Sequence, residues 1–275
     1  MRKDETGSIH KDLEIELKHL VSSAQDFEEI WRALKKLQCA FKPGSKNKVI
    51  SRYFDTADFC LYRGNITLRG RDGDHPEIPP QIGIKTHGYL TKEGIIVRDE
   101  HEYTMADFEK LDFLSITDLK ARQLLNGVNE EDVKPIFETQ VIRQCCYLTF
   151  EVDNKTAVFE IALDDVDYID LAINEPIQMK KLYEFEVEFM QDESEPGICS
   201  DAVLSAMSDI VSYIKESGVN LELNKKSKGE IGFSLKGAQK EQPELKDTNN
   251  APRINRDDLE RIPLMPAANL NPKIA

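Results

Sequence analysis

No stretch of the 275 residues stays apolar for the roughly 18 positions that a membrane-spanning helix requires. Cysteine is scarce and unpatterned: Cys39, Cys60, Cys145, Cys146 and Cys199 are odd in number and form no CxxC pair. That argues against a disulfide framework or a zinc site, and reduced thiols in a cytoplasmic setting are expected. The N-terminal MRKDETGSIH has no apolar h-region, so no secretory signal is predicted. Positive charge is in deficit, with 36 Lys and Arg against 50 Asp and Glu, a formal net charge of -14. That balance disfavours general nucleic-acid or anionic-membrane binding, yet leaves room for a phosphate ligand wherever basic residues cluster. His10, His19, His75, His87 and His101 are scattered without HExxH spacing, and neither GxxxxGK[ST] nor GxGxxG occurs.

What is present is an ordinary globular composition, 40% hydrophobic and 31% charged, with no internal repeat. Residues 1–11 read as a loose polar tail. A strand over 12–20 precedes a helix over about 24–39, capped by Ser23 with Asp26 three residues on and striped by Phe27, Ile30, Trp31, Leu34 and Leu37. KPGSKN is expected to turn, and DGDHPEIPP to loop. Strands are predicted at VISRYFDT, GNITLRGR, QIGIKTHG, GIIVRDEHEYT, IFETQVIRQCCYLTF, TAVFEIALDDVDYI and KLYEFEVEFM. Helices are predicted at ADFEKLDF, at TDLKARQLL capped by Thr117 and ended near Gly127, and after Ser200 up to Gly218. LNKKSKGEIGFSL is the last segment that reads as folded. Residues 236–275 hold five of the 12 prolines and mixed charge without periodicity, so an extended or disordered tail is expected there, with LERIPLMPAANL as a partner-docking segment.

The strands carry an unusual feature. In KDLEIELKHL, Leu13, Ile15 and Leu17 alternate with Glu14, Glu16 and Lys18, so one face is apolar and the other ionised. The pattern recurs with Arg69 and Arg71, Lys85, Arg98 with Glu100 and Glu102, Glu160 with Asp164, and Glu184, Glu186 and Glu188. Any one such strand is most simply a solvated face. Together they are harder to read that way, because rows of glutamates on one face repel each other unless a cation sits among them. Paired carboxylates in a wet cavity suit a hard divalent ion, and arginines and lysines across it suit phosphate oxygens. Tyr53, Phe54 and Tyr147 read as packing, with a place in the tunnel lining as the alternative for one of them.

EIELK resembles the ExExK motif that opens the CYTH domain, also called the triphosphate tunnel metalloenzyme superfamily. RYFDTADFCLYRGNITLRGR, IKTHG, GIIVRDEHEY, VFEIALDDVDY, FEVEF and SKGEIGFSL follow in the family's order, over about residues 12–235. The last block is similar to the ending of bacterial members that act on inorganic triphosphate. The resemblance implies an α+β fold: a closed eight-stranded antiparallel β-barrel with flanking helices, a tunnel that takes a triphosphate.

It also implies Mg²⁺ or Mn²⁺ as cofactor, with Glu14, Glu16, Glu186 and Glu188 as metal ligands. Lys18, Arg69, Arg71, Lys85, Arg98, Arg143 and Lys228 would hold phosphate, and Glu14, Glu16 and Lys18 would be catalytic. Glu100, Glu102, Glu160 and Asp164 would orient the bases or help bind a second metal. Val141 stands where many members carry a basic residue. The expected partner is a small-molecule triphosphate, with neither nucleic acid nor membrane involved. Inorganic triphosphate is expected first, thiamine triphosphate second, and ATP third, as in a class IV-like adenylate cyclase. A non-catalytic polyphosphate or nucleotide sensor is the reading from another class.

Overall fold

The computed structural model describes residues 14–239, apart from 75–78, 106–107, 109–110, 153–154, 172–176 and 191–200. Both predicted tails, Ser200 and much of ADFEKLDF lie outside the described residues or at their margin.

The chain opens with β1 (Glu14–Val21) and α1 (Ala24–Leu34), followed by β2 (Ala40–Asp55), α2 (Cys60–Arg63), β3 (Thr67–Gly73), β4 (Gln81–Leu90) and β5 (Ile96–Thr104). It continues through α3 (Leu119–Leu124), β6 (Lys134–Val152), β7 (Lys155–Asp170), β8 (Ile177–Met190), α4 (Asp201–Glu216), β9 (Leu221–Leu223) and α5 (Lys228–Leu235). Hydrogen bonding runs β5–β4–β3–β2–β6–β7–β8–β1, and β1 pairs back onto β5, closing an eight-stranded barrel. Every pairing is antiparallel. The short β9 adds to β1 beside β5, with His19 opposite Leu223. Closure removes the sheet edges that a long open sheet would expose.

Period-two alternation decides the layers. Ile15, Leu17, Phe159, Ile161, Phe185, Val187 and Phe189 face outward and are buried under α1 and α4, through Ile30, Leu34, Val203, Met207, Ile210 and Ile214. A second outer cluster places Leu68, Ile82, Ile84 and Tyr103 against Leu61 of α2 and Ala121 of α3. A third closes one end of the barrel, where Phe233 of α5 packs with Tyr53, Tyr62, Phe137, Val141, Val166 and Tyr168. The fit there is tight: a Cβ on Gly232 would stand 2.0 Å from Phe137.

Several elements depart from expectation. The α1 helix ends at Leu34, not near residue 39, because its last turn tightens to i→i+3 bonds from Lys36 N to Ala33 O and from Leu37 N to Leu34 O. KPGSKN is not a turn but part of the 16-residue β2, with a register shift between Pro43 and Lys46. Residues 40–47 of β2 pair with β6 alone, so Pro43 lies on an edge stretch, where proline is tolerated in a strand. The α3 cap is Asp118, whose side chain accepts from Ala121 N at 2.9 Å, in place of Thr117. Among the described residues, ADFEKLDF contributes only the start of a 3₁₀ turn at Phe113–Ser115.

Candidate active site

Inside the barrel lies a cavity of about 300 Å³. Every site residue expected from the sequence lines it: Glu14, Glu16 and Lys18 from β1; Arg69 and Arg71 from β3; Lys85 from β4; Arg98, Glu100 and Glu102 from β5. Arg143 comes from β6, Glu160 and Asp164 from β7, Glu186 and Glu188 from β8, and Lys228 from the first turn of α5. The ionised faces therefore turn inward, and the apolar faces carry the helices. Sequence reasoning missed Glu184, wholly buried beside Lys228, although it shares the face of Glu186 and Glu188. Tyr53 and Tyr147 also line the cavity, two aromatics where the sequence reading allowed for one. Phe54 does belong to the outer core.

The charges form two connected webs. On the β3–β4–β5 wall, Arg69 Nη2 donates to Glu100 Oε1 at 2.9 Å and Glu102 Oε1 at 2.8 Å. Lys85 Nζ donates to Glu14 Oε1 at 2.7 Å and lies 3.1 Å from Glu100 Oε1. Arg98 joins both glutamates of the opening motif, donating through Nε to Glu14 at 2.5 Å and through Nη2 to Glu16. On the β6–β7–β8 wall, Arg143 grips both oxygens of Asp164 at 2.9 and 2.7 Å and reaches Glu186 at 2.7 Å. Lys18 bridges the walls, 3.3 Å from Glu16 and 3.0 Å from Glu186.

At the α5 end sits a carboxylate cage. Ligand oxygens of Asp164, Glu184 and Glu186 lie within 4.8 Å of one another. Lys228 Nζ stands among them at 2.9, 2.8 and 2.6 Å. The neighbouring Ser227 caps α5 through a bond from Glu230 N at 3.1 Å, which fixes the backbone that carries Lys228.

Burial and charge compete at each group. Burial raises the Glu186 carboxyl, but Lys18, Lys228 and Arg143 more than reverse this and hold it well below the usual carboxylate range. Asp164 is likewise lowered, burial being overcome by Arg143 and Lys228. Glu184 ends raised, because its burial outweighs Lys228 and Lys18. Burial, helped by Arg98 and Arg69, outweighs Glu100 and Glu14 at Lys85 and pulls its ammonium down to about 8.

So many buried ion pairs are poor devices for stability, since desolvation consumes most of the Coulombic gain. Their arrangement makes sense for a polyanionic ligand. The carboxylates hold the basic side chains in place, and some donors remain unused: Arg69 Nε and Arg71 Nε are buried without a hydrogen-bond partner.

A residue-family profile described as the CYTH domain matches residues 12–198. The chain belongs to the CYTH family. No curated protein sequence matches this CYTH chain. Among solved structures, HpAC1 from Hippeastrum, described as revealing a dominant triphosphatase activity, shares 17% identity at a TM-score of 0.53. The superposition covers 80% of this chain and 95% of that one. PH1819 from Pyrococcus horikoshii is 16% identical over 80% of this chain and 98% of its own, with a TM-score of 0.45. The Mimivirus capping enzyme triphosphatase is 12% identical over 74% and 90%, with a TM-score of 0.40. At this low identity, the likeness to HpAC1 shows the shared fold.

CYTH triphosphate tunnel enzymes are generally metal-dependent, and the donor set of this chain suits a hard cation. Glu16, Glu188 and Glu160 are Cα partners in one row across β1, β8 and β7. Adjacent carboxylates offering oxygen alone suit a hard divalent cation.

Proposed function

We propose that this chain is a metal-dependent triphosphatase that hydrolyses inorganic triphosphate to diphosphate and phosphate. The observation that carries the reading is the enclosure of basic side chains and carboxylates, interleaved strand by strand, within one cavity.

Glu14, Glu16, Glu186 and Glu188 are the residues that would hold the metal, with Glu160 on the same row as Glu16 and Glu188. A bound divalent ion there supplies charge neutralisation and a more acidic water. The remaining work belongs to the chain. Arg69, Arg71, Lys85, Arg98 and Arg143 would receive the phosphate oxygens, exchanging part of their contact with carboxylates for contact with substrate. Lys18, between Glu16 and Glu186, would hold an oxygen of the phosphoryl group being transferred. Lys228 would meet the end of the chain nearest α5. Glu100, Glu102 and Asp164 would keep the guanidinium groups aimed inward. Positioning and electrostatics supply most of the catalysis in phosphoryl transfer, so no side-chain nucleophile is needed. Most of these side chains are buried, which strengthens their interactions.

Phosphorus NMR of the purified chain with Mg²⁺ and tripolyphosphate tests the reading. Orthophosphate and diphosphate should appear together. Saturable binding with unchanged substrate would overturn hydrolysis in favour of a sensor. ATP in a parallel sample would expose a cyclase through cyclic nucleotide and diphosphate.

A further inference from the structure

Asn224 follows β9 directly and is buried. Its backbone N–H donates to Lys18 O at 2.9 Å, which ties it to the strand of the opening motif. Its Oδ1 accepts from Lys226 N at 3.1 Å, an Asx turn that leads the chain to Ser227, the cap of α5, and so to Lys228. Its Nδ2 donates to Glu184 Oε1 at 3.0 Å. Since β1 lies between β8 and β9, that last bond spans the first strand.

The plainest account of Asn224 is a turn that ends β9 and starts α5, which aspartate or serine would serve as well. The bond to Glu184 is not needed for that turn. With Oδ1 committed to a backbone N–H, only an NH₂ group can face a carboxylate, so an amide suits both tasks where an aspartate suits one. Glu184 in turn lies 2.8 Å from Lys228 Nζ through Oε2. Asn224 and Lys228 therefore hold opposite oxygens of one carboxylate, and through the Asx turn Asn224 also sets the backbone from which Lys228 projects. The lysine is fixed at its root and at its tip by one residue.

The other two carboxylates of the cage are held from within the cavity, Asp164 by Arg143 and Glu186 by Arg143 and Lys18. Under the triphosphatase reading those bases also receive phosphate. Asn224 and Glu184 stand behind Lys228 and outside the cavity lining, and the neutral amide has no charge to offer an anion. We propose that Asn224 is a positioning residue of the α5 end, which acts through Glu184 to hold the Lys228 ammonium where the substrate meets it. A compact charge on a flexible four-carbon stem needs such a fixed point.

The test uses the full chain with Asn224→Ser, whose hydroxyl keeps the turn but falls short of Glu184, and Asn224→Leu, which loses both contacts. In ¹⁵N-lysine NMR without metal or substrate, the Lys228 ammonium, assigned through Lys228→Arg, should be protected from exchange in wild type and lose that protection in both variants. The kinetic arm rests on the triphosphatase reading. KM for tripolyphosphate should rise about two- to tenfold in Asn224→Ser, the effect of one hydrogen bond, with kcat and melting temperature little changed. In a Lys228→Ala background the same substitution should raise KM no further, because the two residues act as a unit. An equal rise in both backgrounds, or a Lys228 signal as protected in Asn224→Ser as in wild type, would overturn the proposal. Should Asn224→Leu fail to fold, Asn224→Ser decides alone. If wild type leaves tripolyphosphate intact, the triphosphatase reading fails, while the ammonium signal still decides what Asn224 holds.

Discussion

Glu16 and Glu188 stand directly opposite each other across the β1–β8 ladder, and Glu160 continues the same row on β7. Three like charges side by side oppose folding unless cations join them. Arg98 and Lys18 answer Glu16, and Arg143 lies 3.5 Å from Glu160. The row brings three carboxylates into register on one inward face.

Glu16→Gln and Glu188→Gln should each lower tripolyphosphate turnover by about 100-fold or more, as loss of a transition-state electrostatic contact does. Calorimetry should show weakened Mn²⁺ binding in both. Turnover near the wild-type rate in either variant would remove these residues from the chemistry.

Arg71 and Arg98 should respond differently to truncation. The Arg71 side chain is one-third exposed and only 3.6 Å from its nearest carboxylate, so Arg71→Ala should raise KM about tenfold and leave stability almost unchanged. Arg98 is buried between Glu14 and Glu16, and Arg98→Met leaves both carboxylates short of a partner. A loss of about 3–5 kcal/mol in urea denaturation without metal is expected for it. Equal stability losses in the two variants would contradict the difference in burial.

His19 supplies an acid limb to the stability curve. Its ring is buried against Phe185 on the outer side of β1, Nδ1 lacks a hydrogen bond, and burial together with Lys215 lowers its pKa from 6.5 to about 4. The unfolded chain therefore binds the extra proton between these values. Stability from this site is complete above pH 6.5 and is lost as pH falls toward 4, by about 3 kcal/mol at most. Denaturant melts of His19→Leu should show a flatter loss over that window. An unchanged slope would mean the ring is charged or solvated in the fold.

Gly232→Ala should destabilise the chain by about 1–3 kcal/mol, because the new methyl meets Phe137 at 2.0 Å in the α5 plug. Since α5 carries Lys228, KM for tripolyphosphate should rise in the same variant. A wild-type melting temperature would show that α5 is not packed where it is described.

Much of the site was legible because a strand repeats every two residues. Once Ile15 and Leu17 are assigned to one face, Glu14, Glu16 and Lys18 must share the other, and the same logic holds for Arg98, Glu100 and Glu102. The Lys228 cage was not legible as a unit. Asp164 and Glu184 are 20 positions apart in sequence and Lys228 lies on a helix, so only the β7–β8 register and the seating of α5 bring them together. The strand through Pro43 and Gly44 was hidden for a related reason. Local turn chemistry points one way, while pairing with β6, where a Cβ on Gly44 would stand 2.7 Å from Cys145 Sγ, points the other.

By itself, the sequence determined the alternation, the order of the family's blocks and the identity of nearly every ionised residue in the cavity, because each is a property of local spacing. Tertiary structure alone decided that the ionised faces look inward. An alternating strand serves equally well in an open sheet wetted on its polar side, and only the β1–β5 pairing, with α1 and α4 covering the outer apolar faces, turns those charges toward one another.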